Sequence, residues 1–206
     1  MNYLEFRTAM LPFGAFSVKD AEKRFPGLDT RRLVEWQKKG YIIKLINRWY
    51  LFTETERNES LLYRISNCID RPSYVSLESA LSMYHLIPES VHTVQAATTK
   101  KTQSYETIAG TFNYRSLKPS VFFGYTTLHL GELPLLVAEK EKAILDYLYL
   151  NTGIADKKDI AAMRLNKMET EDIDWKKFDH YSAAFNSKAL NKRVEIFKSF
   201  LSDDAA

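Results

Sequence analysis

The stretch that decides the fold is residues 17–52, SVKDAEKRFPGLDTRRLVEWQKKGYIIKLINRWYLF. Ser17 followed by Asp20 predicts the start of a helix, with a capping hydroxyl and an acidic residue in the first turn. Pro26 and Gly27 end that helix, because proline lacks a backbone donor and glycine accepts a positive φ. Asp29 is placed to cap the helix that follows.

That second helix and the segment behind it complete a recognisable pattern. Leu33 and Trp36, three residues apart, give the helix an apolar stripe, and Gly40 ends it. Residues 41–52 are rich in β-branched and aromatic side chains and predict two strands joined by a turn at 46–48. Two helices followed by a hairpin are typical of a winged helix, whose second helix enters the major groove of DNA.

The polar side chains of this region suit DNA chemically. Arg31 and Arg32 lie near the helix N-terminus, where an arginine can bind guanine O6 and N7 with two hydrogen bonds. Lys44 and Arg48 in the hairpin could contact the neighbouring phosphates. The alternative is that these charges only solvate an exposed helix face. The predicted DNA-binding residues are Thr30, Arg31, Arg32, Glu35, Lys38, Lys39, Lys44, Asn47 and Arg48.

The charge of the chain is unevenly distributed. Its 206 residues, 45% of them hydrophobic, predict one large or two small domains with a real core. Residues 1–53 hold 10 Lys+Arg and 5 Asp+Glu, a net charge of +5, and the remainder holds 19 and 21, a net charge of −2. The basic excess therefore lies where a phosphate-binding surface requires it.

Cysteine usage and hydropathy indicate the compartment. The single cysteine, Cys68, excludes an intramolecular disulfide and is expected to be buried, which favours a reducing compartment. Glu5 and Arg7 argue against a signal peptide, and the longest apolar run, 133–138, is too short to span a bilayer. We therefore expect a soluble cytoplasmic protein without membrane association.

The rest of the chain predicts a second, larger domain of mixed α+β structure. The polar stretch 53–57 is the candidate boundary, which divides the chain into a winged helix-turn-helix domain at 1–53 and an α+β domain at 54–206. Residues 98–104 are expected to be a solvated loop. Helices are expected at 2–11, 56–69, 76–84, 139–150, 156–165, 175–185 and 187–201, and strands at 74–75, 91–98, 107–108, 111–114, 121–125 and 135–137.

The same sequence lacks the motifs that are typical of catalytic and cofactor sites. None of the four histidines stands at metal-ligand spacing, and the glycine-rich phosphate loops and the Gly-x-Ser-x-Gly motif are absent. The sequence therefore predicts no metal, no cofactor and no catalytic residue, and a protein that is not an enzyme. The histidines are His85, His92, His129 and His180.

Two groups of side chains resemble catalytic arrangements. Glu139, Glu141 and Asp146 suggest a carboxylate pair, since Glu139 and Asp146 share a helix face. Lysines alternate with the acids there, however, and acids in a first helical turn favour the helix dipole. Ser76 and Ser79 with His85 could mimic a nucleophile and a base, but Ser76 is more simply a helix cap. An aromatic group is expected to form sheet core rather than a platform for bases: Phe112, Tyr114, Phe122, Phe123 and Tyr125.

Four stretches, in this order and approximate spacing, resemble the AbiEi antitoxin family of type IV toxin–antitoxin systems over about residues 5–150. The last fifty residues match only in being helical. The stretches are the N-terminal segment ending in a basic hairpin with Trp49-Tyr50, then YVSLESAL at 74–81 running on to HLIP at 85–88, then FFGY at 122–125, and then VAEKEKAILD at 137–146.

The resemblance implies a repressor that binds inverted repeats in the promoter of its own operon. It also implies an antitoxin that counters a nucleotidyltransferase-like toxin and does not require a stable complex with it. One small DNA-binding domain gives limited affinity, so two copies are expected on the DNA, as a homodimer or as cooperative monomers. The family hairpin usually places glycine just before the aromatic pair, whereas this chain has Arg48, which suggests a different turn.

Two other classes of function stay open. In one, the C-terminal domain is a nucleic-acid-processing enzyme, which requires a polar cluster that the sequence does not reveal. In the other, the chain is a protein-binding module, and charge reversal at Arg31 and Arg32 then leaves its function intact.

Overall fold

In the computed structural model, which describes residues 2–88, 93–129 and 134–203, residues 2–52 form three α-helices, a short 3-10 helix at Leu11–Phe13 and a small antiparallel sheet. The strand order of this sheet is β1-β3-β2. Ser17 and Asp20 form a reciprocal capping box at the start of the second helix, as predicted. The elements are α1 (Tyr3–Met10), β1 (Ala15–Ser17), α2 (Val18–Arg24), α3 (Arg31–Lys38), β2 (Ile42–Ile46) and β3 (Trp49–Phe52).

The hairpin between β2 and β3 is tighter than the sequence suggested. Ile46 pairs with Trp49, so the turn contains two residues rather than three. Arg48 adopts a positive φ of 64° in this turn, the left-handed conformation that glycine accepts more readily. The carbonyl oxygen of Arg48 accepts a hydrogen bond of 2.9 Å from the backbone N–H of Val18, which fixes the hairpin against the start of α2.

Residues from 59 onward form a mixed six-stranded sheet with helices packed against it. The strand order is β6-β7-β5-β4-β9-β8, with β4–β9 and β5–β7 parallel and the other pairs antiparallel. The elements are α4 (Glu59–Ile69), β4 (Ser73–Val75), α5 (Leu77–Met83), β5 (Thr93–Thr98), β6 (Gln103–Glu106), β7 (Thr111–Ser116), β8 (Tyr125–His129), β9 (Pro134–Ala138), α6 (Lys140–Leu150), α7 (Lys157–Ala161), α8 (Lys167–Thr170), α9 (Trp175–Phe185) and α10 (Lys188–Asp203). The chain is thus a mixed α+β protein, as predicted.

Two strand predictions were wrong. The strand expected at 121–125 is displaced, because Pro119 opens a short 3-10 helix and Gly124, with a φ of +68°, precedes β8. The hairpin expected around 107–114 has its first strand earlier, at β6. Thr107 lies in the turn instead, where its hydroxyl accepts a hydrogen bond of 3.0 Å from the N–H of Ala109. The expected loop at 98–104 is therefore wrong at both ends, which lie in β5 and β6.

Smaller differences concern helix ends and burial. The helix expected from residue 56 begins at Glu59, because the side chain of Asn58 caps it. The helix expected at 156–165 is only α7, and α8 was not predicted. Cys68 is half-buried rather than buried. Residues 91–92 of the strand expected at 91–98 lie outside the described residues.

Two hydrophobic cores hold the fold together, and the small sheet takes part in both. One core gathers aromatic side chains from α1 to β3 around Phe6 and Trp36. Ala15, Leu45 and Leu51, on β1, β2 and β3, belong instead to the core of the large sheet. The strand period of two puts these residues on the opposite face, so the small sheet contributes side chains to both cores. The division at residue 53 stays a prediction.

None of the helices in the described parts of the chain is long and apolar enough to cross a membrane.

Candidate functional site

Helix α3 is anchored by its apolar stripe. Leu33 and Trp36 are 1% and 5% exposed, and the Trp36 ring lies 4.7 Å from the ring of Phe6 and 5.5 Å from that of Tyr3, between ring centroids. Such burial of large apolar side chains fixes the rotation of a helix about its axis. The opposite face of α3 is therefore held outward in one orientation.

All nine residues predicted to bind DNA are exposed, and they carry six positive charges and one negative charge. Helical geometry places Arg31, Glu35 and Lys38 in the row opposite the apolar stripe, with Arg32 and Lys39 beside it. Lys44 lies on β2, next to α3, and Asn47 and Arg48 form the hairpin turn. We call these nine residues, Thr30, Arg31, Arg32, Glu35, Lys38, Lys39, Lys44, Asn47 and Arg48, the basic surface.

The sequence reasoning missed one residue on this face. Val34 is 48% exposed although it is apolar and lies between Leu33 and Glu35. An exposed methyl-bearing side chain beside arginines can contact the methyl group of thymine. The signal in the sequence was an apolar residue outside the stripe formed by Leu33 and Trp36.

Asp29 was predicted to cap α3, but it lies one residue before the N-cap residue Thr30, whose side chain makes no capping hydrogen bond. Asp29 still organises this end of the helix. Its Oδ1 accepts hydrogen bonds of 3.0 Å from the backbone N–H and from Nε of Arg31, and the two side chains form an ion pair of 2.9 Å. Hydrogen bonding to Arg31 holds the pKa of Asp29 below its usual value and raises the pKa of Arg31. The Arg31 side chain is still 87% exposed, so its guanidinium is oriented but accessible.

A second polar cluster lies in the interior of the large sheet. Lys142 and Asp146, one turn apart on α6, form an ion pair, and both are fully buried. Asp146 also accepts hydrogen bonds from the Tyr74 hydroxyl at 2.9 Å and from the Ser76 hydroxyl at 2.8 Å, and Lys142 donates to the Tyr74 hydroxyl at 2.8 Å. We call Tyr74, Ser76, Lys142 and Asp146 the buried network.

The buried network corrects two interpretations of the sequence. Ser76 precedes α5, but its side chain makes no capping hydrogen bond there and is used for Asp146 instead. Lys142 does not solvate a helix surface, because its ammonium lies among the rings of Phe123 and Phe185, 5.4 and 4.9 Å from their centroids. Removal from water lowers the pKa of Lys142 and raises that of Asp146.

Three of the four stretches that resemble the AbiEi family meet at this network. Tyr74 comes from the second stretch and Lys142 from the fourth. From the third, Phe122 and Tyr125 pack on Tyr74 with ring centroids 4.9 and 4.8 Å away. Gly124 fits closely as well, since a Cβ there would lie 2.9 Å from a ring carbon of Tyr181 and 3.2 Å from the Lys142 side chain. These motif residues hold the interior together.

The acids at the start of α6 are also committed to packing. Glu141 is 3% exposed, accepts a hydrogen bond of 3.0 Å from the N–H of Asp174 and forms an ion pair of 3.0 Å with Lys177. Glu139 accepts a hydrogen bond of 2.6 Å from Tyr181. Glu139 and Asp146 are therefore bound to different partners and do not face a common substrate position.

The aromatic side chains expected to be sheet core divide between two environments. Phe112 and Tyr114 are fully buried on β7. Phe122 and Phe123 lie outside the strands and are half-buried, and Tyr125 is 38% exposed.

The structure brings together no metal site in residues 2–88, 93–129 and 134–203, where no group of three His, Cys, Asp or Glu side chains could hold an ion. His85, His129 and His180 are exposed and separate. His92 lies outside the described residues.

No protein-family model matches the chain, and no curated protein matches it. The resemblance to the AbiEi family therefore rests on the four motif stretches.

Proposed function

We propose that the chain is a DNA-binding antitoxin of the AbiEi type, which represses its own operon through an N-terminal winged helix. The observation that carries the proposal is the basic surface: α3 is fixed by Leu33 and Trp36, and all nine predicted contacts are exposed on α3 and the hairpin. The order of helices and strands up to β3, with its three-stranded sheet, fits a winged helix.

In this proposal α3 enters the major groove. Arg31, held at the N-terminus by Asp29, offers its guanidinium to a guanine, and the exposed Val34 lies one turn further along for a thymine methyl. Arg32 and Lys39 lie beside this row and contact phosphates. Each phosphate contact releases counterions, so the affinity falls as salt rises.

The hairpin is the wing. Lys44 is exposed on β2 and Arg48 is exposed at the tip of the turn, where the bond from Val18 to its carbonyl group fixes the backbone. Both side chains can reach the DNA backbone beside the groove that α3 enters. Two copies on an inverted repeat, as a homodimer or as cooperative monomers, supply the affinity that one small domain lacks.

The proposed antitoxin activity is assigned to residues 54–206. These residues would counter a nucleotidyltransferase-like toxin, and a stable complex with the toxin is not required. The resemblance supports it, since three motif stretches meet in one buried network. The network is fully buried, so it holds β4 and α6 in place, and the toxin would meet the surface they support. Co-expression with the toxin from the same operon tests this activity. Rescue of growth supports it, and toxicity undiminished by the folded protein contradicts it.

The repressor proposal is tested with DNA from upstream of the protein's own operon. Fluorescence anisotropy across a salt series should show binding well above that to random DNA of equal length, and the logarithm of the affinity should fall linearly with the logarithm of the salt concentration. Equal affinity for the upstream and the random DNA fragment at every salt concentration would contradict the proposal that the protein represses its own operon.

A further inference from the structure

A cavity of about 470 Å³ lies between the N-terminal helices and α4. Its volume falls in the range of small-molecule binding sites. Phe13, at its border, is 47% exposed, which leaves a large ring accessible to solvent. The apolar part of the lining includes Met10, Phe13, Phe16, Trp49, Leu61 and Ile65.

One N–H group of a cation that lines this cavity lacks an acceptor among the described residues. Arg64, on α4, lines the cavity, and its Nε is buried without a hydrogen-bond partner among the described residues. Its Nη2 lies near Gly14, 3.5 Å from the position that a Cβ of this glycine would take. A buried guanidinium N–H without an acceptor is costly, and a carboxylate satisfies it with paired, charge-assisted hydrogen bonds.

The other charges around the cavity also favour an anion. Lys23, Arg24 and Arg71 line it together with Arg64, and Asp20 is its only acidic lining residue in the described part of the chain. Asp20 is occupied locally, because its Oδ2 accepts hydrogen bonds from the N–H and the hydroxyl of Ser17. Four cations against one engaged carboxylate leave a positive apolar cavity.

We propose that this cavity binds an organic monocarboxylate with an apolar body, and that its occupancy weakens DNA binding. The carboxylate pairs with Arg64, and the body packs against Phe13, Phe16 and Trp49. The second half of the proposal rests on the proposed function. Lys23 and Arg24 belong to α2, which precedes α3, and Trp49 follows the wing residue Arg48, so the ligand touches direct neighbours of the elements that carry the basic surface.

The direction of the coupling follows from charge. A bound anion beside α2 reduces the positive potential that attracts phosphates. Linkage requires that DNA weaken carboxylate binding by the same factor.

Binding is tested first, without DNA, by isothermal titration calorimetry with decanoate and with 2-naphthoate, and with decanamide and 2-naphthamide as uncharged counterparts. We expect saturable binding of one carboxylate per chain, at least tenfold weaker for the amides. The affinities for decanoate and for 2-naphthoate show whether the cavity prefers an acyl chain or an aromatic ring. No saturable binding of either carboxylate would overturn the site.

Variants then locate the site. Arg64→Met should weaken carboxylate binding at least tenfold, and Arg64→Lys should restore part of it, whereas Lys192→Met, which removes an exposed charge on α10, should change nothing. Cys68→Phe should block binding by filling the cavity from α4. Circular dichroism establishes that each variant is folded. Wild-type affinity in both folded Arg64→Met and folded Cys68→Phe would contradict the assignment.

The coupling is tested by DNA binding at saturating decanoate. We expect affinity for the upstream fragment to fall about fivefold or more, and the loss to disappear in Arg64→Met. If decanoate leaves the affinity for DNA unchanged, the proposed effect of the ligand on DNA binding is wrong, whereas the proposed binding site is decided by the calorimetry. A chain that binds no DNA even without decanoate refutes the proposed function, while the calorimetry still decides the cavity.

Discussion

The basic surface and the buried network use the same kinds of side chains in opposite environments. Arg31 and Asp29 form an ion pair in water, with the arginine side chain 87% exposed, whereas Lys142 and Asp146 form one with neither side chain exposed. Water and salt screen an exposed ion pair, and its charges remain available to a ligand. The charged groups of a buried ion pair must find all their ionic and hydrogen-bond partners within the protein. The exposure of an ion pair therefore distinguishes charges that can contact a ligand from charges that hold the fold together.

Breaking the buried pair should have the largest effect. Asp146→Ala leaves the Lys142 ammonium and the Tyr74 and Ser76 hydroxyls buried without their acceptor, and we expect a loss of about 3–5 kcal/mol in the free energy of unfolding. Urea denaturation measures it. The double variant Lys142→Met/Asp146→Leu removes both charges and should lose less. A double variant as unstable as the single one would mean that packing, rather than an uncompensated charge, sets the cost.

The second-largest effect should come from adding a side-chain atom next to the buried network. Gly124→Ala places a Cβ 2.9 Å from the Tyr181 ring at a φ of +68°, and we expect a loss of about 2–3 kcal/mol in the free energy of unfolding. Gly27 has a positive φ but no atom within 4 Å of the position of a Cβ, so Gly27→Ala measures backbone strain alone. Gly153 has neither a positive φ nor a close neighbour, so Gly153→Ala is the control for both effects. Equal losses at Gly124 and Gly27 would contradict the close fit around Lys142.

The hairpin turn offers a change that separates stability from binding. Arg48→Gly relieves a left-handed backbone, so we expect a gain of up to about 1 kcal/mol in the free energy of unfolding. If Arg48 contacts a phosphate as proposed, the substitution also removes that contact, and the slope of log affinity against log salt should become shallower by about one. Asn186→Gly relieves a similar φ of 46° at the end of α9. This control should leave DNA binding unchanged, and equal salt slopes for the two variants would exclude Arg48 from the interface.

The smallest effect should come from an exposed pair. Arg7 and Glu54 form a bidentate ion pair, and hydrogen bonding to Arg7 holds the pKa of Glu54 below its usual 4.5. A lowered pKa stabilises the fold above the unfolded value of 4.5, and this stabilisation is lost as the pH falls through the folded value.

Thermal unfolding of Glu54→Gln against Glu56→Gln, an exposed neighbour, measures this contribution. A small difference in Tm should be present at pH 7 and absent at pH 3 and in 1 M salt. A difference that persists at pH 3 would show that something other than the ion pair is responsible.

The elements predicted well were those with local signals. The stripe of Leu33 and Trp36, the cap at Ser17 and the helical period of α6, α9 and α10 all appear within one short window of sequence. The exposure of the basic surface also followed, since charged residues opposite an apolar stripe face water. The strand expected at 121–125 failed because Pro119 and Gly124 override the strand preference of the aromatic residues between them.

The buried network could not be predicted in the same way. Tyr74 and Asp146 are 72 residues apart, and α6 comes close to β4 through the parallel pairing of β4 with β9 and through its contacts with α5. Lys142 stands among alternating acids and lysines, a pattern typical of a solvated helix. Its burial depends on the rings of Phe123, which lies after the 3-10 helix, and of Phe185 on α9, and no local pattern indicates either contact.

The most direct test of the account is the affinity of Arg31→Ala/Arg32→Ala for the upstream DNA fragment, measured beside Lys188→Ala/Lys192→Ala at one salt concentration. The second variant removes the same charge from an exposed face of α10. We expect at least a tenfold loss for the first pair, little change for the second and unchanged unfolding for both. Equal affinities of the two variants would contradict the claim that the exposed charges of α3 read DNA.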